Sequence, residues 1–180
     1  MTDSKMVGLS GYARHPNDLY ETPDWVTETL LDYLNVTLGL PRTIWEPACG
    51  NGAMVRVLET RFKKVYATDI DQDFLTCPAL LPGTDYIITN PPYGRMQDKF
   101  LDHALSFGVP VCFLLRNEFD SGARRRRFFE KNFHAKIVLT KRPRWIKGST
   151  GAPRHNYAWF IWNKNHATNR IVHAYGKTFV

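Results

Sequence analysis

The sequence predicts an α/β protein built on an open, mostly parallel sheet whose last strand runs antiparallel. Three stretches carry that expectation. Residues 42–45 read as a strand, Gly50 and Gly52 as a turn, and residues 53–61 as a helix, the order in which a nucleotide-binding sheet opens. Residues 64–68 read as a second strand that delivers an acid, Asp69, at its end. Residues 86–89 form a short apolar run that ends in Asn90-Pro91-Pro92-Tyr93, which suits a parallel strand covered on both faces.

The other elements follow in order. Residues 1–19 show no hydrophobic period and are punctuated by Gly8, Gly11, Pro16 and Asn17, so they read as an N-terminal arm. Thr22 suits a helix N-cap and Pro23 a first helical position, ahead of a stripe formed by Val26, Leu30, Tyr33 and Leu34. After Asp69, only Ile70, Asp71 and Gln72 precede Asp73-Phe74-Leu75. Parallel strands need about a dozen residues between them, so the third strand is expected to be missing or reduced to a loop. Residues 97–107 read as a helix with Phe100, Leu101, Ala104 and Leu105 inward, and residues 109–115 as a central strand. A further helix is expected over residues 121–132, carrying Arg124 to Arg127. Successive helical residues are ~100° apart, so these four arginines divide between ion pairs within the fold and contacts to phosphate. Residues 136–140 and 156–162 read as the closing strands, and residues 170–175 as a possible edge strand.

Composition bounds the function. A chain of 180 residues fits one domain with a proper core. No apolar run approaches the ~20 residues of a membrane span, and Met1 to Lys5 lack the apolar centre of a secretion signal. Cys49, Cys77 and Cys112 have no metal-site spacing and no even-numbered framework, so no metal is expected and a reducing cytoplasm fits best. Lysines and arginines number 24 against 17 acids, a net charge of +7, with a pI near 9.4. That excess points to a polyanionic partner, nucleic acid first, and no membrane partner is expected.

The Asn90 stretch has its own chemistry. Consecutive prolines fix two φ angles and remove two backbone donors, and each residue before a proline is held extended. The Asn90 side-chain oxygen and the Pro91 carbonyl are both acceptors, so together they can hold the two hydrogens of one amino group. Drawing those hydrogens out of the plane of an aromatic amine moves its nitrogen toward tetrahedral geometry and aims the lone pair. Tyr93 offers a flat face for a planar substrate. Upstream, Gly50 and Gly52 allow close approach of a ligand to the backbone, and an acid in the position of Asp69 accepts from ribose hydroxyls.

Glu46-Pro47-Ala48-Cys49-Gly50-Asn51-Gly52 and Asn90-Pro91-Pro92-Tyr93 together resemble the motifs of the class I S-adenosylmethionine-dependent methyltransferases, and among them the amino-methyltransferases, which act on exocyclic or amide nitrogens. The resemblance runs from about Tyr20 to the end of the chain and implies a Rossmann-like sheet. Tyr20-Glu21-Thr22-Pro23 precedes the glycine motif, which is the motif order of the gamma-type adenine methyltransferases. The resemblance implies S-adenosyl-L-methionine as cofactor, held by Tyr20, Thr22, Pro23, Glu46, Ala48, Gly50, Gly52, Asp69, Ile70, Asp73, Phe74 and Asn90. Glu46 would meet the cofactor's ammonium, Asp69 its ribose, and Asp73 or Asp71 its adenine amino group, with Phe74 flanking the ring. Asn90, Pro91, Pro92 and Tyr93 would carry the chemistry.

The basic loop at residues 141–155 interleaves cations with an aromatic, which suits nucleic acid. Lys141, Arg142, Arg144, Trp145, Lys147 and Arg154 are its candidate contacts. The expected activity is methylation of the N6 amino group of adenine in DNA, by a single catalytic domain over residues 20–180 with loose sequence specificity and no separate recognition domain. RNA is the alternative substrate. A protein glutamine amide is disfavoured because relatives of that type carry an extra N-terminal helical domain. The intact Asn90 motif argues against a silent binding module. The oligomeric state is left open.

Overall fold

The computed structural model describes residues 21–145, 150 and 152–180. The expectations placed on residues 1–19, Tyr20 and Lys147 lie outside the described residues. Eight strands, β1 (Thr43–Glu46), β2 (Lys64–Ala67), β3 (Tyr86–Thr89), β4 (Val111–Arg116), β5 (Phe133–Leu139), β6 (Tyr157–Trp162), β7 (Arg170–Tyr175) and β8 (Thr178–Phe179), join in one sheet of order β2-β1-β3-β4-β6-β5-β7-β8. The β1–β2, β1–β3, β3–β4 and β5–β7 pairings are parallel. Strand β6 inserts antiparallel between β4 and β5, and β7 turns back on β8. The expected antiparallel closing strand is therefore β6, and the stretch at 170–175 is an added strand beside β5.

Alternation along each strand sorts side chains into two layers. Ile44, Ile88, Leu114, Ile137 and Trp159 face helix α1 (Asp24–Thr37) and the six-residue helix α2 (Ala53–Leu58). Trp45, Ile87, Phe113, Phe160 and Trp162 face the opposite way, toward helix α3 (Arg95–Ser106) and the short helix α4 (Arg126–Phe129). Strands β3 and β6 are buried along their whole length, as near-continuous apolar runs require.

The third strand is absent, as the short spacing after Asp69 demanded. Two 3₁₀ turns, Ile70–Gln72 and Phe74–Thr76, lead into a loop, and Leu75, Leu80 and Leu81 lay that loop against the core. Strand β2 becomes the sheet edge. The loop is tied to it by the Tyr66 hydroxyl, which donates to the Pro82 carbonyl at 3.0 Å, and to β1 by Asp85, which accepts from the Arg42 and Thr43 amides at 2.8 and 2.9 Å.

Two expectations are corrected. The helix expected at 121–132 is broken into 3₁₀ turns at Asn117–Ser121 and Ala123–Arg125 followed by α4. Gly122 is extended, with φ −83° and ψ 118°. Tertiary pairing then outweighs helix propensity: Arg125 bonds Asp98 at 2.9 Å and Arg127 bonds Asp102 at 2.5 Å, both acids on α3. Arg126 pairs with Glu130 at 2.7 Å, so three of the four arginines are held within the protein. The other correction concerns Thr22. Helix α1 is capped by Pro23 with no side-chain cap bond, because the buried Thr22 hydroxyl is engaged elsewhere.

His134 on β5 is 5 % exposed. Its Nδ1 faces the His166 carbonyl, and its Nε2 lies 3.1 Å from the Tyr33 hydroxyl on α1. Burial, with the Arg170 and His166 charges, holds it below the ordinary 6.5. The unfolded chain therefore takes up the proton first as pH falls, so this contribution to stability is complete above about pH 6.5 and is lost as pH drops through the folded value. Thermal melting from pH 7.5 to 5 should show this fall, and His134→Gln should reduce its slope.

Candidate active site

The C-terminal ends of β1, β2 and β3 lie side by side, and their three polar end residues are Glu46, Asp69 and Asn90. From β1 the chain makes a tight turn, with the Cys49 amide donating to the Thr68 carbonyl at 3.0 Å and the Gly52 amide to the Cys49 carbonyl at 2.8 Å. Gly50 and Gly52 have φ of +50° and +76°. A Cβ at Gly50 would meet nothing within 4 Å, so the left-handed backbone selects glycine here. Asp69 spans the turn. One carboxylate oxygen accepts from the Gly50 amide and the other from the Ile70 amide, each at 2.7 Å. Each oxygen keeps a further acceptor position, enough for a vicinal diol. Ile70 beside it is 76 % exposed and gives this rim an open apolar surface.

Glu46 is the unusual group. It is 1 % exposed. Its Oε1 accepts from the Ala48 amide at 3.1 Å and from the Thr89 hydroxyl at 2.5 Å. Its Oε2 is buried without a hydrogen-bond partner among the described residues. Burial raises its pKa from 4.5 to about 8, the bonds from Thr89 and Ala48 pull it back, and the nearby Asp69 charge pushes it up further. An orphaned buried carboxyl oxygen costs on the order of 1–3 kcal/mol, and an external cationic donor satisfies it and draws the group into its carboxylate form.

Asn90 follows the buried strand β3. Its Nδ2 donates to the Thr22 hydroxyl at 3.2 Å, and its Oδ1 accepts from the Tyr93 hydroxyl at 2.7 Å. The amide is therefore gripped from both ends, and its orientation is fixed with one acceptor position on Oδ1 still open. Burial, with Tyr157 beside it, lifts the Tyr93 pKa well above 10, so the hydroxyl stays a donor. The Tyr93 ring is half-buried, with its centroid 6.1 Å from that of Tyr157. Pro91 is buried and Pro92 half-buried, which anchors the turn.

The structure thus brings Thr22, Glu46, Gly50, Asp69 and Asn90 together at the C-terminal ends of β1, β2 and β3, with Pro23 and Ala48 in the same turns. It places Phe74 elsewhere. That ring is 1 % exposed and packs on Trp45, Phe100, His103 and Phe107, so it fills the layer where a crossover helix would otherwise lie. Asp73 caps its own 3₁₀ turn by accepting from the Leu75 amide at 3.0 Å, and Asp71 is exposed in the preceding turn.

In the basic loop, Arg142 bonds Asn156 at 2.7 Å and the Pro153 carbonyl at 3.1 Å, stapling the loop's two ends. Trp145 stacks edge-on against Tyr157 at 4.8 Å, and Lys141 stands 5.4 Å from the Trp25 ring centroid. Arg144 and Arg154 are exposed. Thr89, bonded to Glu46, and Tyr157, beside Tyr93, are neighbours of the candidate site that the sequence reading missed. Thr89 had a signal, as the one aliphatic hydroxyl in an apolar strand, at the end that leads into Asn90. Tyr157 had none, because it meets Tyr93 only through the tertiary fold. No group of three or more His, Cys, Asp or Glu side chains suited to a metal occurs among the described residues. No helix among them is long and apolar enough to cross a membrane.

No protein-family model matches the sequence, and no curated protein does. Solved structures do resemble the fold. A proposed class I S-adenosylmethionine-dependent methyltransferase from Listeria monocytogenes aligns with a TM-score of 0.62 and 14 % identity, over 93 % of this chain and 69 % of that one. The methyltransferase subunit of a type I restriction-modification system from Streptococcus thermophilus aligns with 0.61 and 13 % identity over 84 % of this chain. The alignment spans 46 % of that subunit, less than half its length. A proposed RNA methyltransferase from Pyrococcus horikoshii aligns with 0.55 and 17 % identity, over 81 % and 86 % of the two chains. The strand ends that carry Glu46, Asp69 and Asn90 therefore belong to a fold of the class I S-adenosylmethionine-dependent methyltransferase type.

Proposed function

We propose that the protein methylates the N6 amino group of adenine in DNA, with loose sequence preference, using S-adenosyl-L-methionine. The observation that carries this reading is the fixed Asn90 amide, at the end of the strand next to the one that delivers Glu46, a buried carboxyl with an oxygen to spare. The residues fit the cofactor. Glu46 Oε2 awaits a cationic donor, Asp69 has acceptor positions for the ribose, and Ile70 offers an apolar face for a base. When bound, the cofactor supplies an electrophilic methyl group.

The chain's own residues do the rest. The Asn90 oxygen and the Pro91 carbonyl take one amino hydrogen each and direct the nitrogen lone pair. Asn90 and the prolines keep that geometry at no reorganisation cost during reaction. The Tyr93 ring borders the substrate base. A paired base hides its amino group, so the target is flipped or unpaired. Exposed cations of the basic loop, among them Arg144 and Arg154, steer the polyanion.

The fold likeness does not choose between nucleic acids, since the neighbours include a restriction-modification subunit and a proposed RNA methyltransferase. The preference for DNA rests on the position of Thr22-Pro23 ahead of the glycine motif. Transfer of tritium from labelled cofactor to DNA, RNA and protein tests the proposal. Label in N6-methyladenine of DNA is expected, and label confined to RNA or protein would overturn the substrate. Tyr93→Phe keeps the ring but removes the donor to Asn90 Oδ1. A single hydrogen bond of this kind is worth about 1 kcal/mol, so the chemical step should slow roughly fivefold with cofactor affinity unchanged. Single-turnover rates beside equilibrium binding would check this.

A further inference from the structure

Beside the Asn90 site lies a cavity of about 220 Å³ between α1 and the C-terminal ends of β5 and β7. It is smaller than the ~300–1,000 Å³ typical of a drug-sized ligand site and suits one planar ring system. Trp25, Leu139 and Ala174 form its apolar wall, and Thr29, Thr140 and Lys141 supply its polar atoms. Both threonine hydroxyls are spent on main-chain carbonyls, Thr29 on Trp25 at 2.7 Å and Thr140 on Ala174 at 2.5 Å. What the cavity presents is therefore a half-buried indole with an ammonium 5.4 Å from its centroid. This pairing has a chemical preference: an aromatic face stacks a base of any identity, and the cation meets an adjoining phosphate.

Its position is fixed relative to the reacting centre. Thr22 accepts from Asn90, and one helical turn on, the Val26 carbonyl accepts from Trp159 Nε1 at 2.8 Å. Trp25 lies between these two anchors. On the other side, the Tyr93 ring meets Tyr157 at 6.1 Å and Tyr157 meets Trp145 at 4.8 Å, four residues along the chain from Lys141. We infer that the Trp25–Lys141 cavity is a subsite for an unpaired nucleobase neighbouring the target adenine, with Lys141 on its phosphate. The inference rests on the nucleic-acid reading above and deepens it: the substrate would be held as a locally single-stranded segment, by stacking and without base-edge readout.

The test uses fluorescence anisotropy with a labelled single-stranded DNA of about 12 nucleotides bearing one central adenine, beside a copy with abasic positions flanking that adenine. Trp25→Ala should weaken binding of the intact strand about tenfold or more, while Trp25→Phe stays within about threefold, because stacking needs a ring. Lys141→Ala should lower the salt slope by about one. The abasic strand should bind wild type more weakly than the intact strand does, and bind Trp25→Ala no differently from it. S-adenosylhomocysteine affinity should be unchanged in Trp25→Phe and Lys141→Ala, which also guards against a folding defect. Equal abasic penalties in wild type and Trp25→Ala, or self-association lost in Trp25→Ala, would overturn the subsite while leaving the nucleic-acid reading intact. Failure of wild type to bind either DNA or RNA strands would overturn both.

Discussion

Asn90→Ala is expected to lower methyl transfer by roughly 10²–10³, the cost of losing one preorganised hydrogen-bond partner at a reacting centre, with little change in cofactor affinity. The variant loses the oxygen that would hold an amino hydrogen. It also frees the Thr22 and Tyr93 hydroxyls, which now meet the amide from opposite ends. Asn90→Asp separates the two effects. It keeps an acceptor for Tyr93 but offers Thr22 no donor, and it adds a negative charge within the half-buried turn. Its rate should therefore stay low even though an acceptor remains. Single-turnover kinetics with saturating cofactor and an unpaired adenine substrate would read this directly. Near-native turnover in Asn90→Ala would remove Asn90 from the chemistry.

Much of this site was legible in the sequence because it is built from turns. Glycines at positive φ, consecutive prolines and acids at strand ends leave local marks, and Gly50, Gly52, Pro91 and Asp69 all took the expected places. The missing third strand was legible for a different reason, since three residues cannot hold a crossover. Long-range packing was not legible. The sequence around Phe74 reads as a cofactor contact, but its ring is enclosed by Trp45 and by Phe100, His103 and Phe107 from α3 and the turn after it, partners all 26 or more residues away in the chain. The arginine run reads as one helix, but Asp98 and Asp102 on α3 fix where its guanidinium groups go. Thr22 fits a helix cap by pattern, and a contact across 68 residues claims its hydroxyl instead.

Glu46→Gln should change stability and cofactor affinity in opposite directions. In the cofactor-free protein the Glu46 carboxyl titrates near 8, against an ordinary 4.5, chiefly because it is buried. A raised folded value means that its contribution to stability is fully present below about pH 4.5 and is lost as pH rises through 8. A shift of that size corresponds to on the order of 5 kcal/mol. Glutamine keeps the acceptor for Thr89 and Ala48 but cannot ionise, so the variant should lose less stability than wild type between pH 6 and 8.5. Binding reverses the preference. The proposed ammonium contact needs a carboxylate, so near pH 6.5 the wild-type site should release close to one proton as the ligand binds. Its affinity should rise with pH toward 8. In Glu46→Gln the charge-assisted bond is gone, which costs roughly 10–100-fold in affinity, and the proton release goes with it. Calorimetry of S-adenosylhomocysteine binding in buffers of different ionisation enthalpy, run beside thermal melts of the free protein, measures both effects. A variant that binds as tightly as wild type, with the same proton count, would show that Glu46 does not meet the ammonium.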